Sequence, residues 1–131
     1  MNYSQRDDLV KKLQGQEGTL EQAEAWLDQL KRIDPYFYDS DAMLYLDTAV
    51  RARRKFDELK ASLGERLNRN QLRELIENLC TGKGDDVEQA AWVMLIDRNV
   101  PHPNTIGLIF ETDLTPDEIM DQALSYKPVV L

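Results

Sequence analysis

The 131-residue chain carries 24 acidic and 16 basic side chains, one histidine and one cysteine, for a formal net charge of -8. That length suits one domain (residues 1–131) with a real core, and a composition of 42% hydrophobic and 31% charged residues excludes a disordered chain. Residues 90–96 form the longest apolar run, far too short for a membrane span, a lone cysteine closes no internal disulfide, and Asp7 and Asp8 stand where a secretory leader needs a basic start, so a cytoplasmic protein is expected.

In chain order, a first helix is predicted from Ser4 to Gly15, short and peripheral, with Leu9, Val10 and Leu13 as its apolar residues and with Asp7 paired to Lys11 and Asp8 to Lys12. Gly15 and Gly18 break the chain, and Thr19 with Gln22 restarts it through a capping box. Leu20, Ala23, Leu27 and Leu30 then recur at helical spacing until Asp34-Pro35, where the proline disfavours helix at the residue before it. Asp39 or Ser40 caps a third and longest helix ending near Gly64. Ala42, Tyr45, Ala49, Ala52, Phe56, Leu59 and Leu63 mark its expected buried stripe.

Asn68 with Gln71 caps a fourth helix that buries Leu72, Leu75, Ile76 and Leu79, with Cys80 expected beside them as a buried structural thiol. Gly82 stops it, and Asp85, Asp86 and Glu88 favour the start of the next. That helix, residues 86–97, is apolar on nearly every side and is the expected hub of the core. His102 lies between two prolines on a turn without neighbouring ligands. Residues 104–112 alternate like a strand but carry an Asn104 cap; with no partner strand in view, helix is favoured. Thr115, Pro116 and Glu118 open a last helix to Ser125. The fold class is therefore all-α: a single compact domain of six to seven helices, an irregular bundle around the buried helix 86–97. No repeat at a fixed period is apparent.

Catalytic and cofactor motifs are missing. Cys80 has no helper base, Thr81-Gly82-Lys83-Gly84 lacks P-loop spacing, and a calcium loop from Asp39 would need glycine and glutamate where Leu44 and Val50 stand. A non-enzyme without metal or cofactor is expected. The informative stretch is Asp34-Pro-Tyr-Phe-Tyr-Asp-Ser-Asp41. Tyr36, Phe37 and Tyr38 stand as candidate aromatic anchors, with Asp34, Asp39 and Asp41 around them, unless the aromatics fold inward to plug the seam between two helices.

Charge is uneven: residues 34–50 carry four acids and no base, 51–83 nine bases and five acids, and 84–131 nine acids and two bases. An acidic balance repels phosphate backbones and suits a basic partner protein, such as a toxin or nuclease, bound by a monomer or weak homodimer; membrane and nucleic-acid partners are not expected. Small, acidic and helical with a tyrosine-and-aspartate patch, the chain resembles in general character the colicin-type nuclease immunity proteins. The likeness is one of composition, and no residue role is carried over from it. The expected function is a protein-binding domain that neutralises or escorts a more basic partner, of immunity-protein, antitoxin or inhibitor type. The alternatives are a secretion or assembly chaperone with an apolar groove along the 42–63 stripe, and a nucleic-acid or regulatory module using Arg51, Arg53, Arg54 and Lys55.

Overall fold

A computed structural model describes residues 3–36 and 41–127. These form seven α-helices and no strand: α1 (Tyr3–Gln14), α2 (Leu20–Ile33), α3 (Asp41–Leu63), α4 (Arg69–Cys80), α5 (Asp86–Asn99), α6 (Thr105–Phe110) and α7 (Pro116–Ser125). The all-α reading holds, and the strand-like alternation after Asn104 is helix α6. The Asn104 side chain accepts from the Gly107 N–H at its start. Contacts gather in two compact units, Met1–Arg54 and Lys55–Leu131, and α3 contributes residues to both.

In the first unit, Leu9 and Leu13 of α1, Leu20, Ala23, Leu27 and Leu30 of α2, and Met43, Leu46 and Val50 of α3 form one core. Burying each leucine-sized side chain contributes about 1.5–3 kcal/mol. Helix α1 is thus part of this core and not peripheral. Ion pairs fix the helix directions. Lys31 meets Asp47 at 3.1 Å while Arg54 meets Glu24, so α3 runs antiparallel to α2. Likewise Arg6 reaches Asp34 and Lys12 lies over Trp26, so α1 is antiparallel to α2. The expected stripe of α3 is displaced by one residue in its first half. Ala42 and Tyr45 are exposed, and Met43, Leu46 and Val50 turn inward. Both sets share helical spacing, and the one that removes more apolar area from water takes the core.

In the second unit α5 lies in the core as expected, with Ala91, Trp92, Leu95 and Ile96 buried among Phe56, Leu72, Ile76, Leu79, Ile109, Ile119 and Met120, and Val93 and Met94 packed partly against them. The predicted capping boxes at Asn68 and Thr115 form, the second with Pro116 in the first turn, and Asp85, expected at a helix start, closes a further box with Glu88. Cys80 corrects its expectation: it is exposed, because Leu72, Leu75, Ile76 and Leu79 already fill the inward face of α4. Partial burial, and then the Glu77 carboxylate, push its thiol pKa up. His102 packs its ring 4.8 Å from that of Tyr126, and its Nδ1 accepts from the Asn104 N–H.

A repeat does exist, contrary to the reading from sequence. Helices α1 and α4 both have 12 residues and α2 and α5 both have 14, and each pair starts 66 positions apart. At that offset Leu9, Leu13, Gly18, Trp26 and Pro35 match Leu75, Leu79, Gly84, Trp92 and Pro101. The matched glycines have φ of 72° and 82°, and a Cβ added to either would lie 2.8 or 2.6 Å from Cη2 of the matched tryptophan. In each hairpin a glycine before the helix cap therefore lets an indole ring close over the turn.

Gly84→Ala combines left-handed strain with a clash against Trp92 and is expected to destabilise by about 2–4 kcal/mol. Gly82→Ala, also at positive φ but with open space around it, is expected to cost about 1 kcal/mol. Urea denaturation of the two variants checks the difference. Thr105 is fully buried and its hydroxyl has no hydrogen-bond partner among the described residues. Thr105→Val removes that unpaired group at equal volume, so the same measurement should show a gain of about 1 kcal/mol.

Candidate binding surface

The antiparallel course of α1, α2 and α3 brings the start of α1, the end of α2 and the start of α3 to one end of the first unit. Four large apolar side chains are exposed there: Tyr3 (59%), Tyr36 (87%), Leu44 (62%) and Tyr45 (70%). Singly such residues are ordinary; four of them toward one end of a unit make that end the candidate binding surface.

An ion pair lies beneath this patch. Asp34 is buried, and its Oδ2 accepts from Arg6 Nη1 at 3.4 Å. The Arg6 guanidinium also bonds the Asp7 carboxylate at 3.0 Å and lies 4.9 Å from the centre of the Tyr3 ring. Asp7, then Asp34, hold its pKa above the ordinary arginine value against the opposing effect of partial burial, so it stays charged. Asp34 is the C-cap of α2, where a carboxylate faces the negative end of the helix dipole. Its match in the second hairpin is Val100, the C-cap of α5, and the match of Arg6 is Leu72; both are buried in the apolar core. The hairpin is therefore built once with a charged pair and once with apolar residues at the same two positions. Since apolar residues commonly replace a buried ion pair without loss of stability, the pair in the first unit is not a requirement of the fold.

The predicted site residues fall as follows. Tyr36 is on the surface, Asp41 is exposed in the first turn of α3, and Asp34 is buried beneath the patch. Phe37, Tyr38 and Asp39 lie outside the described residues, as does the predicted cap of α3. Tyr3, Arg6 and Leu44 were not singled out from sequence, and Tyr45 was expected in the buried stripe of α3. The set at 43, 46 and 50 that is buried instead has the same spacing, so periodicity carries no signal for the exposure of Leu44 and Tyr45.

No family model, curated protein or solved structure matches this chain. The surface is read from its own chemistry.

Among the acids of residues 34–50, Asp47 is also buried, held by Lys31 at 3.1 Å and Arg51 at 3.2 Å. In the basic cluster, Arg51 pairs with Asp47, Arg54 with Glu24, and Arg53 donates to the Gly18 carbonyl at 3.4 Å. Much of that cluster's hydrogen-bonding capacity is thus used within the first unit. Among the described residues no group of three or more His, Cys, Asp or Glu is placed to hold a metal ion, and no helix is long and apolar enough to cross a membrane.

Arg6→Leu removes one partner of a buried carboxylate and is expected to cost about 1–3 kcal/mol, below the value for a fully buried pair because Arg6 is partly solvated and Asp34 keeps a further interaction. Asp34→Val, which leaves the more accessible Arg6 beside Asp7, should cost less, and Arg6→Leu with Asp34→Val should return to within about 1 kcal/mol of the parent. A double-mutant cycle by chemical denaturation reads all three.

Proposed function

We propose that the chain is a small acidic protein-binding domain of the cytoplasm, without catalytic activity of its own, that neutralises or escorts a more basic partner protein in the manner of an immunity protein, antitoxin or inhibitor. The observation that carries this reading is the cluster of Tyr3, Tyr36, Leu44 and Tyr45, exposed together at one end of the first unit. Tyrosines present large contact area with little side-chain entropy to lose, which makes them effective anchors.

Beneath them the Arg6–Asp34 pair acts by positioning. Asp34 is turned inward and works through Arg6, which holds the Tyr3 ring on one side, while Tyr36 follows two residues after Asp34. Asp41 is exposed close by and complements a basic group on the partner. The preference for a basic partner also rests on the second unit, where Asp85, Asp86, Glu111, Asp113 and Glu118 are exposed and make no ion pair among the described residues. Such a field speeds encounter with an oppositely charged protein.

The test is affinity capture with the tagged full chain from its native cells, followed by titration against the protein recovered. The partner is expected to be basic, and its association rate should fall as salt rises. Tyr36→Ala with Tyr45→Ala should weaken binding about tenfold or more, mostly through faster dissociation, with helicity and melting unchanged. Unchanged affinity in that folded variant would falsify the assignment.

A further inference from the structure

The second unit contains a cleft of about 370 Å³ lined by Lys60, Glu65, Arg66, Leu95 and Arg98. Three cations and one carboxylate meet there in a chain whose net charge is -8. Of the cations elsewhere, Arg6, Lys12, Lys31, Arg51, Arg54, Arg69 and Arg73 form ion pairs. Lys60, Arg66 and Arg98 form none among the described residues, although Glu65 lines the same cleft.

The heads of two of these side chains are held in place. Lys60 Nζ lies 5.1 Å and Arg98 Cζ 4.7 Å from the centre of the Phe56 ring, which is buried. An aromatic ring attracts and orients a cation but leaves its charge unneutralised. Lys60 and Arg98 also stand in the last turns of α3 and α5, whose C-terminal carbonyls each contribute roughly half a negative charge. With Glu65 counted, a surplus of roughly one positive charge remains in the cleft.

We infer that this cleft binds a phosphate-class oxyanion through Lys60, Arg66 and Arg98. Guanidinium and ammonium groups are the donor types that hold phosphate oxygens, and two of the first and one of the second line this cleft. Phe56 is buried beneath the cations and offers no free face to a nucleobase, so the cleft recognises the phosphate group and not a base attached to it. This site is independent of the aromatic surface of the first unit and does not rest on its assignment.

Calorimetric titration of the full chain with inorganic pyrophosphate, at constant ionic strength, tests the inference. Saturable binding is expected, with ADP binding no tighter than pyrophosphate and citrate at least about tenfold weaker. Arg66→Gln, which touches no aromatic ring among the described residues, and the triple change Lys60→Gln, Arg66→Gln, Arg98→Gln should weaken binding progressively, the triple by about tenfold or more. Glu65→Gln should tighten it, a sign that general loss of stability does not produce. No saturable heat at about 10 mM pyrophosphate overturns the inference, as does equal binding by the folded triple variant or citrate binding as tight as pyrophosphate.

Discussion

Each helical hairpin depends on the close approach of an indole ring to a glycine. Gly18 and Gly84 take left-handed backbone geometry directly before a capping residue, and Trp26 and Trp92 lie where a side chain on the glycine would be. The turn and the first helical turns after it are thereby tied to one ring. The cap supplies the orphan amides with acceptors, the ring covers the turn, and the preceding helix is left to pack leucines against the following one. Thr19 and Asp85 perform the capping with different chemistry, and both boxes close through the residue three places on. The recurrence of the whole arrangement at one fixed offset marks it as a unit of construction, used once in each half of the chain.

Where the two copies differ is more informative than where they agree. Leu72 and Val100 are what the hairpin needs at those positions for packing alone. Arg6 and Asp34 occupy the same two positions at the cost of desolvating a carboxylate, at a helix end that opposes it. The charged version also has consequences the apolar one lacks: it orders the Tyr3 ring through a cation–π contact and fixes the backbone two residues before Tyr36. The charged pair thus sets Arg6 against the Tyr3 ring at the proposed binding surface, a contact that Leu72 cannot make in the second unit.

Local chemistry was legible in the sequence; competition between faces was not. The capping boxes at Thr19, Asn68, Asp85 and Thr115 are written in residues three apart and could be read directly. The stripe of α3 could not, because residues 42, 45 and 49 and residues 43, 46 and 50 have the same period, and only packing against α1 and α2 decides between them. Cys80 failed for the same reason, one position past a helix face already filled. Asp34 could be recognised as unusual but not as buried, since its partner Arg6 lies 28 residues away. The repeat was hidden by divergence at most positions, although the spacing from glycine to tryptophan to proline is identical in both copies and was open to inspection.

The burial of Asp34 and Asp47 changes how charge and contact divide the proposed work. From sequence, residues 34–50 were the acidic segment and the aromatic segment at once. In the fold two of its four carboxylates are neutralised internally, and Asp41 is the described one left exposed. The aromatic end is therefore closer to neutral than its composition suggests, and more of the exposed carboxylates without an ion pair among the described residues lie in the second unit than in the first. Long-range attraction decays over about 8 Å at physiological salt and acts mainly on the rate of encounter, whereas a desolvated aromatic contact acts on the rate of escape. Under the proposed function the two roles are separate: unpaired charge would speed encounter with a basic protein, and the exposed Tyr3, Tyr36, Leu44 and Tyr45 would set how long it stays.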